Sequence, residues 1–282
     1  MVIVTGTKRS GTSLWMRMLR EAGLPSIGEA FPAVWGDSIR DANPHGFYES
    51  RYRLGIYFAT NPEPTTGFYL TAKATRLHAV KVFVPGVIRT ERAYLHRVVA
   101  CMREWRSYSR SIHRLTSQED AWLQDNPKDG MTGEESVAKA RAGRSPIPAP
   151  VEWFLENYEL VRDFAVRRYA MNFMTYERLM DDPEAALNRI FEWIGTGDIA
   201  KALACVDRDL HRAPDYEPVP SESEVSEQDA ALFDAFYQAI HEGSALPPEL
   251  LGPLNDTWAR LSEEYSKKVK ELEANRSRSE TL

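Results

Sequence analysis

The sequence predicts an α/β fold, with a central, mostly parallel sheet flanked by helices. Three observations carry that expectation. Short apolar runs recur through the first 195 residues and alternate with helical patterns, the signature of a parallel sheet. The first run, Val2-Ile3-Val4, meets a glycine-bounded loop that opens directly into an amphipathic stretch. The 282 residues are 43% hydrophobic and 27% charged, which is ordinary globular composition and excludes a wholly disordered chain.

The elements follow in order. Val2–Val4 reads as a buried strand ending at Gly6. Leu14, Trp15, Met18, Leu19 and Ala22 share one helical face, and Gly23 is a helix stop. A second strand is expected over Ala79–Val84, stopped by Pro85-Gly86. A third covers Val98–Met102 and leads into a helix-like stretch. A helix over Val151–Arg168 buries Phe154, Tyr158, Val161 and Ala165, and a fourth strand covers Ala170–Met174. Asp182 and Pro183 then supply an N-cap and a first-turn proline for a helix ending near Gly195. Residues 116–150 are polar and rich in glycine and proline, and read as a lid or a flexible surface loop. Residues 214–229 read as an exposed acidic connection. Residues 1–256 form one domain in this reading, and 257–282 an amphipathic helix and tail. The stripe Trp258, Leu261, Tyr265, Leu272 docks that helix on the domain or serves as a homo-oligomer contact.

Composition narrows the partners. No stretch approaches about 18 uninterrupted apolar residues, so no membrane helix is expected. The start of the chain lacks the basic and apolar regions of a secretory signal, and two cysteines make no disulfide framework. A cytoplasmic protein is the default expectation. The 35 basic and 41 acidic residues give a net charge of −6, which argues against nucleic-acid binding but leaves room for one local basic pocket. The six histidines and two cysteines show no zinc-ligand spacing.

That pocket has a clear candidate. Gly6-Thr-Lys-Arg-Ser-Gly-Thr-Ser13 has the G-x-x-x-x-G spacing of a phosphate loop and sits between strand and helix. Such a loop wraps backbone N–H groups around an oxyanion and passes it to a helix N-terminus. Lys8, Arg9, Ser10, Gly11, Thr12 and Ser13 are the candidate anion-binding residues. The plain alternative is a strand-to-helix turn whose hydroxyls cap the helix. Nucleotide-triphosphate loops place a lysine directly after the second glycine. Thr12 stands there, and the cations lie earlier, at Lys8 and Arg9. That weighs against a kinase or nucleotide hydrolase using magnesium.

Arg9-Ser-Gly-Thr-Ser-Leu14 resembles the 5′-phosphosulfate loop of the sulfotransferases that use 3′-phosphoadenosine 5′-phosphosulfate (PAPS). The Arg-Ser-Gly-Thr form is similar to the tyrosylprotein and bacterial branches. The cytosolic branch has Lys in place of Arg9 and tryptophan in place of Leu14. The family's 3′-phosphate motif is an arginine after a strand and a serine eight residues on, matched by Arg103 and Ser111. A guanidinium and a hydroxyl suit a compact dianion. Thr175-Tyr-Glu-Arg-Leu179 resembles the family's Tyr-Glu-Asp-Leu segment, which makes Tyr176 the adenine contact. The three matches span residues 1–195.

The resemblance implies a three-layer P-loop fold and in-line transfer of a sulfuryl group from PAPS to a hydroxyl or amine of a small-molecule or glycan acceptor. PAP is the product and no metal is required. Arg9 would neutralise the leaving 5′-phosphate. The acceptor needs a base. The cytosolic branch's histidine position is Phe83 here, two residues after Lys81. Glu29, near the tyrosylprotein branch's glutamate, is the first candidate, and Glu49 the second. Lys81 would assist the sulfuryl oxygens. His45 and His78 are weaker candidates. Trp35, Tyr48, Tyr52, Tyr57, Phe58, Phe68 and Tyr69 line a pocket or fill the core. The rival readings are a P-loop kinase or nucleotide hydrolase, and a non-catalytic nucleotide-binding protein of the same fold.

Overall fold

A computed structural model describes residues 1–28, 46–57, 60–61, 67–128, 130–207, 218–243 and 245–279, with backbone alone from 272. Glu29, Trp35, His45 and Phe58 lie outside the described residues. The strands β1 (Val2–Gly6), β2 (Ser26–Ile27), β3 (Ala79–Lys81), β4 (Arg97–Met102) and β5 (Met171–Thr175) form one sheet. Its order is β2-β3-β1-β4-β5 and every pairing is parallel.

Alternation along the strands sorts the helices into layers. Val2, Val4, Val99 and Cys101 face α1 (Thr12–Glu21), α7 (Pro183–Ile194) and the short α6 (Tyr176–Asp181) and α8 (Ile199–Leu203). Ile3, Val80, Val98 and Ala100 face α2 (Val84–Arg89) and α5 (Ala149–Arg167). A third core joins α3 (Trp105–Asp125) and α5 to α9 (Glu227–Glu242) and α10 (Pro248–Ser279), with Phe154 stacked on Phe233 at 4.6 Å between centroids.

Several expectations change. The second strand stops at Lys81, because Pro85 lies in the first turn of α2, where a missing N–H costs nothing. Gly86 is buried inside that helix, and a Cβ there would come within 2.6 Å of the Arg53 carbonyl oxygen. The stretch 116–150 is largely helical: α3 runs to Asp125 and α4 (Gly133–Gly143) follows, opened by a Thr132–Glu135 capping box. Arg144 ties the two together through Glu119 and Asp120 at 2.8 and 2.6 Å. Within 218–229, a 3-10 turn covers Pro220–Glu224 and α9 begins at Glu227, with Asp229 buried. The C-terminal helix begins at Pro248, ahead of residue 257, and docks on the third core through Leu254, Leu261 and Tyr265. Among the described residues no helix is long and apolar enough to cross a membrane.

Candidate functional site

The chain leaves β1 toward β2 and β3 on one side, then crosses to β4 on the other. The switch point therefore lies between the carboxyl ends of β1 and β4, where open α/β sheets form their crevice. The β1–α1 loop and the β4–α3 junction meet there.

The loop is shaped by two glycines. Gly6 has φ 148°, and a Cβ there would collide with the Cys101 carbonyl oxygen and sit 2.6 Å from Ser10 Oγ. Gly11 caps α1 at φ 92° and, having no side chain, makes no side-chain cap to the helix's first amide groups. Between them Arg9 is left-handed at φ 65°, an uncommon state for a residue with a side chain. Ser10 Oγ braces the turn by donating to the Thr7 carbonyl at 2.7 Å. Thr7 Oγ1 is buried with no hydrogen-bond partner. Thr12 is buried in the first turn of α1, and Ser13 Oγ donates to the Phe47 carbonyl at 3.3 Å.

Across the crevice, Arg9 Nε donates to Ser111 Oγ at 3.2 Å, linking positions 102 residues apart. Arg103 follows β4 directly. Its Nε donates to Ser107 Oγ at 2.8 Å, and its guanidinium lies 4.8 Å from the centre of the Tyr176 ring. That ring closes on the loop, since a Cβ at Gly11 would meet Tyr176 Cδ2 at 3.1 Å. Burial pushes the Tyr176 phenol above its ordinary range, and both Arg103 and Arg9 are near enough to oppose the shift. Arg9, Gly11, Arg103, Ser111 and Tyr176 are thus brought together.

On the other side stands Lys81, at the carboxyl end of β3. Its Nζ donates to Glu49 Oε1 at 2.5 Å and to the Phe47 carbonyl at 3.2 Å. Both side chains are buried, and Glu49 Oε2 has no hydrogen-bond partner. Burial pulls the Lys81 ammonium below its ordinary range; Glu49 works against that and Arg9 adds to it. Gly28, the last described residue before Glu29, packs on the same segment: a Cβ there would approach the Tyr48 carbonyl oxygen to 2.8 Å. Tyr48 and Tyr52 are core residues, whereas Phe68 and Tyr69 are exposed.

Two candidates stand apart from the cluster. Lys8 points to α5 and pairs with Glu152 at 3.5 Å, so it does not join the other loop residues. His78 precedes β3 and so lies at the opposite edge of the sheet from Lys81.

Sequence reasoning missed the acids around Lys8. Tyr108 OH donates to Glu152 Oε2 at 2.9 Å, and Glu156 lies one turn further along α5. Burial and then Glu152 push the Glu156 carboxyl up to about 8, against the pull of Lys8. The i, i+4 spacing of Glu152 and Glu156 was a readable signal, but their proximity to Lys8 was not.

No family model matches the chain, and no curated protein or solved structure matches it.

Proposed function

We propose that this chain is a PAPS-dependent sulfotransferase, transferring a sulfuryl group to a hydroxyl or amine acceptor. One observation carries the reading. Arg9 and Ser111 were paired in sequence only by their resemblance to two separate motifs, and they are hydrogen-bonded at the switch point. The donor set also suits the nucleotide. Thr7 Oγ1 is an unsatisfied buried hydroxyl within the loop, and the N-cap of α1 makes no side-chain cap. The crevice carries two guanidiniums and a tyrosine ring.

In this reading Arg9 and the amide groups of residues 10–13 hold the 5′-phosphate, Arg103 and Ser111 the 3′-phosphate, and Tyr176 the adenine. PAPS supplies the sulfuryl group, which passes to the acceptor oxygen or nitrogen as its bridge to the 5′-phosphate breaks. Arg9 stabilises the charge that builds on that bridge, in a geometry fixed beforehand by the loop. Lys81 uses Glu49 and Phe47 to hold its ammonium at the carboxyl edge of the sheet. Glu49, whose Oε2 is buried without a hydrogen-bond partner, is the described carboxylate assigned to take the acceptor's proton. Glu29 remains the other candidate base.

The non-catalytic reading has one observation in its favour, because the other oxygen of Glu49 is already committed to Lys81. A kinase reading lacks the lysine after Gly11, where Thr12 stands. Calorimetric titration with PAP, with ADP, and with ATP plus magnesium separates the three. PAP bound without metal, and bound more tightly than ADP, is the expected result. A preference for ATP with magnesium overturns the proposal in favour of a kinase. Binding of none of them leaves a protein that keeps the fold without the nucleotide. Turnover of PAPS across acceptor panels then decides between catalysis and nucleotide binding alone.

A further inference from the structure

Tyr176 is followed by Glu177, and Arg103 by Glu104. The first pair begins α6 and the second precedes α3, so the two halves of the nucleotide clamp come from separate strands, β5 and β4. Glu177 bridges them. Its Oε1 accepts the backbone N–H of Glu104 at 3.2 Å, and its Oε2 accepts the Tyr237 hydroxyl of α9 at 2.6 Å. The α9 helix is itself fixed to β5, because His241 Nδ1 lies 2.9 Å from Thr175 Oγ1. Thr175 also caps α6 by accepting the Arg178 N–H. Three successive residues thus divide the work: Thr175 anchors α9, Tyr176 closes on Gly11 and Arg103, and Glu177 ties α3 to α9.

We propose that Glu177, locked by Tyr237, is a positioning residue that sets how well the site discriminates a 3′-phosphorylated nucleotide from one without that phosphate. The inference rests on the sulfotransferase reading, in which Arg103 meets the 3′-phosphate. The physical argument is one of preorganisation. Arg103 has a long, rotamer-rich side chain, and a clamp that must be ordered on binding loses affinity. Ser107 and the Tyr176 ring hold the guanidinium itself. Glu177 holds the peptide next to Arg103 at a fixed distance from the peptide next to Tyr176. Its negative charge, near Arg103, works against anion binding. A purely electrostatic role and a positioning role therefore predict opposite signs.

The test is calorimetric titration of the full-length protein and two variants with PAP and with ADP. Glu177→Ala removes both bonds. Tyr237→Phe removes one of Glu177's two bonds, together with the hydroxyl's 3.4 Å contact with His241 Nδ1; it changes no charge and preserves the ring packing, so it keeps the test open if the first variant fails to fold. The expected result is an affinity loss of about tenfold for PAP in Glu177→Ala and a smaller loss in Tyr237→Phe, with ADP affinity nearly unchanged in both. Equal losses for both nucleotides would make Glu177 merely structural and overturn the proposal. So would tighter PAP binding, the mark of a charge effect alone, or an unchanged ratio in both variants. A wild-type protein that does not distinguish PAP from ADP would instead count against the sulfotransferase reading on which the inference rests.

Discussion

Two ways of holding a cation meet around the loop: Arg103 is held by a hydroxyl and a ring, whereas Lys81 and Lys8 are paired with carboxylates. Arg9 donates to Ser111 and Arg103 to Ser107, with the Tyr176 ring against the second guanidinium. The acids nearest Arg103 direct hydrogen bonds elsewhere. Glu104 accepts the amide groups of Arg106 and Ser107, and Glu177 accepts an amide and a phenol. Lys81, by contrast, is salt-bridged to Glu49, and Lys8 to Glu152. A guanidinium held by a hydroxyl and a ring, as Arg103 is, has less of its charge offset by hydrogen-bonded partners than an ammonium inside an ion pair. In the proposed reading that guanidinium meets the nucleotide's 3′-phosphate. The lysine–carboxylate pairs tie the loop and β3 to neighbouring segments.

The comparison breaks most visibly at Lys81. Replacing Glu49 with leucine leaves a buried ammonium without its counter-ion, which typically costs about 3–5 kcal/mol. Denaturant unfolding of Glu49→Leu checks this, and the double variant Glu49→Leu with Lys81→Met is expected to recover most of the loss. A cost near zero for the single variant would show that the pair is solvated and the contrast unfounded. Arg9→Ala is the counterpart among the guanidiniums. It is expected to weaken PAP binding by about 100-fold, through loss of charge-assisted hydrogen bonds, while costing roughly 1 kcal/mol or less in stability. Calorimetry with PAP and unfolding of the same preparation read the two effects separately. A large stability loss with PAP binding intact would invert the assignment.

How much of this was legible in the sequence follows the same divide. The β1–α1 unit, β4, β5 and α7 were readable, because β-branched runs, Gly11, Asp182, Pro183 and Gly195 are local signals with local causes. The valines at 82 and 84 suggested a longer strand, but Pro85 preorganises a helix start there. The helix α4 was missed beneath its polar composition, although Thr132 and Glu135 spell a capping box. The helix α9 was missed despite Ser226 at its N-cap and Phe233, Phe236, Tyr237 and Ile240 on one face. The arginine side of the site was readable because its residues fall in compact motifs. The carboxylate side was not. Glu49 and Lys81 stand 32 positions apart, and Lys8 meets α5 only through the tertiary fold.

The smallest expected effect concerns the acids around Lys8, at Glu156. Its carboxyl lies above its ordinary value of 4.5, at about 8, because burial and Glu152 disfavour the charged form. Below about pH 4.5 the carboxyl is protonated in both folded and unfolded chains, and contributes nothing to pH dependence. Between that pH and about 8 the unfolded chain ionises while the folded one keeps its proton, so stability falls as pH rises. Above about 8 the penalty is fully present and levels off. Glu156→Gln removes the titration and keeps the shape. It is expected to stabilise the protein by roughly 1–2 kcal/mol at pH 8.5, after discounting for partial exposure, and by almost nothing at pH 4.5. Denaturant midpoints at the two pH values measure the difference directly. Equal effects at both would mean that Lys8 already holds Glu156 ionised, and that the acids around Lys8 are an ordinary set of ion pairs.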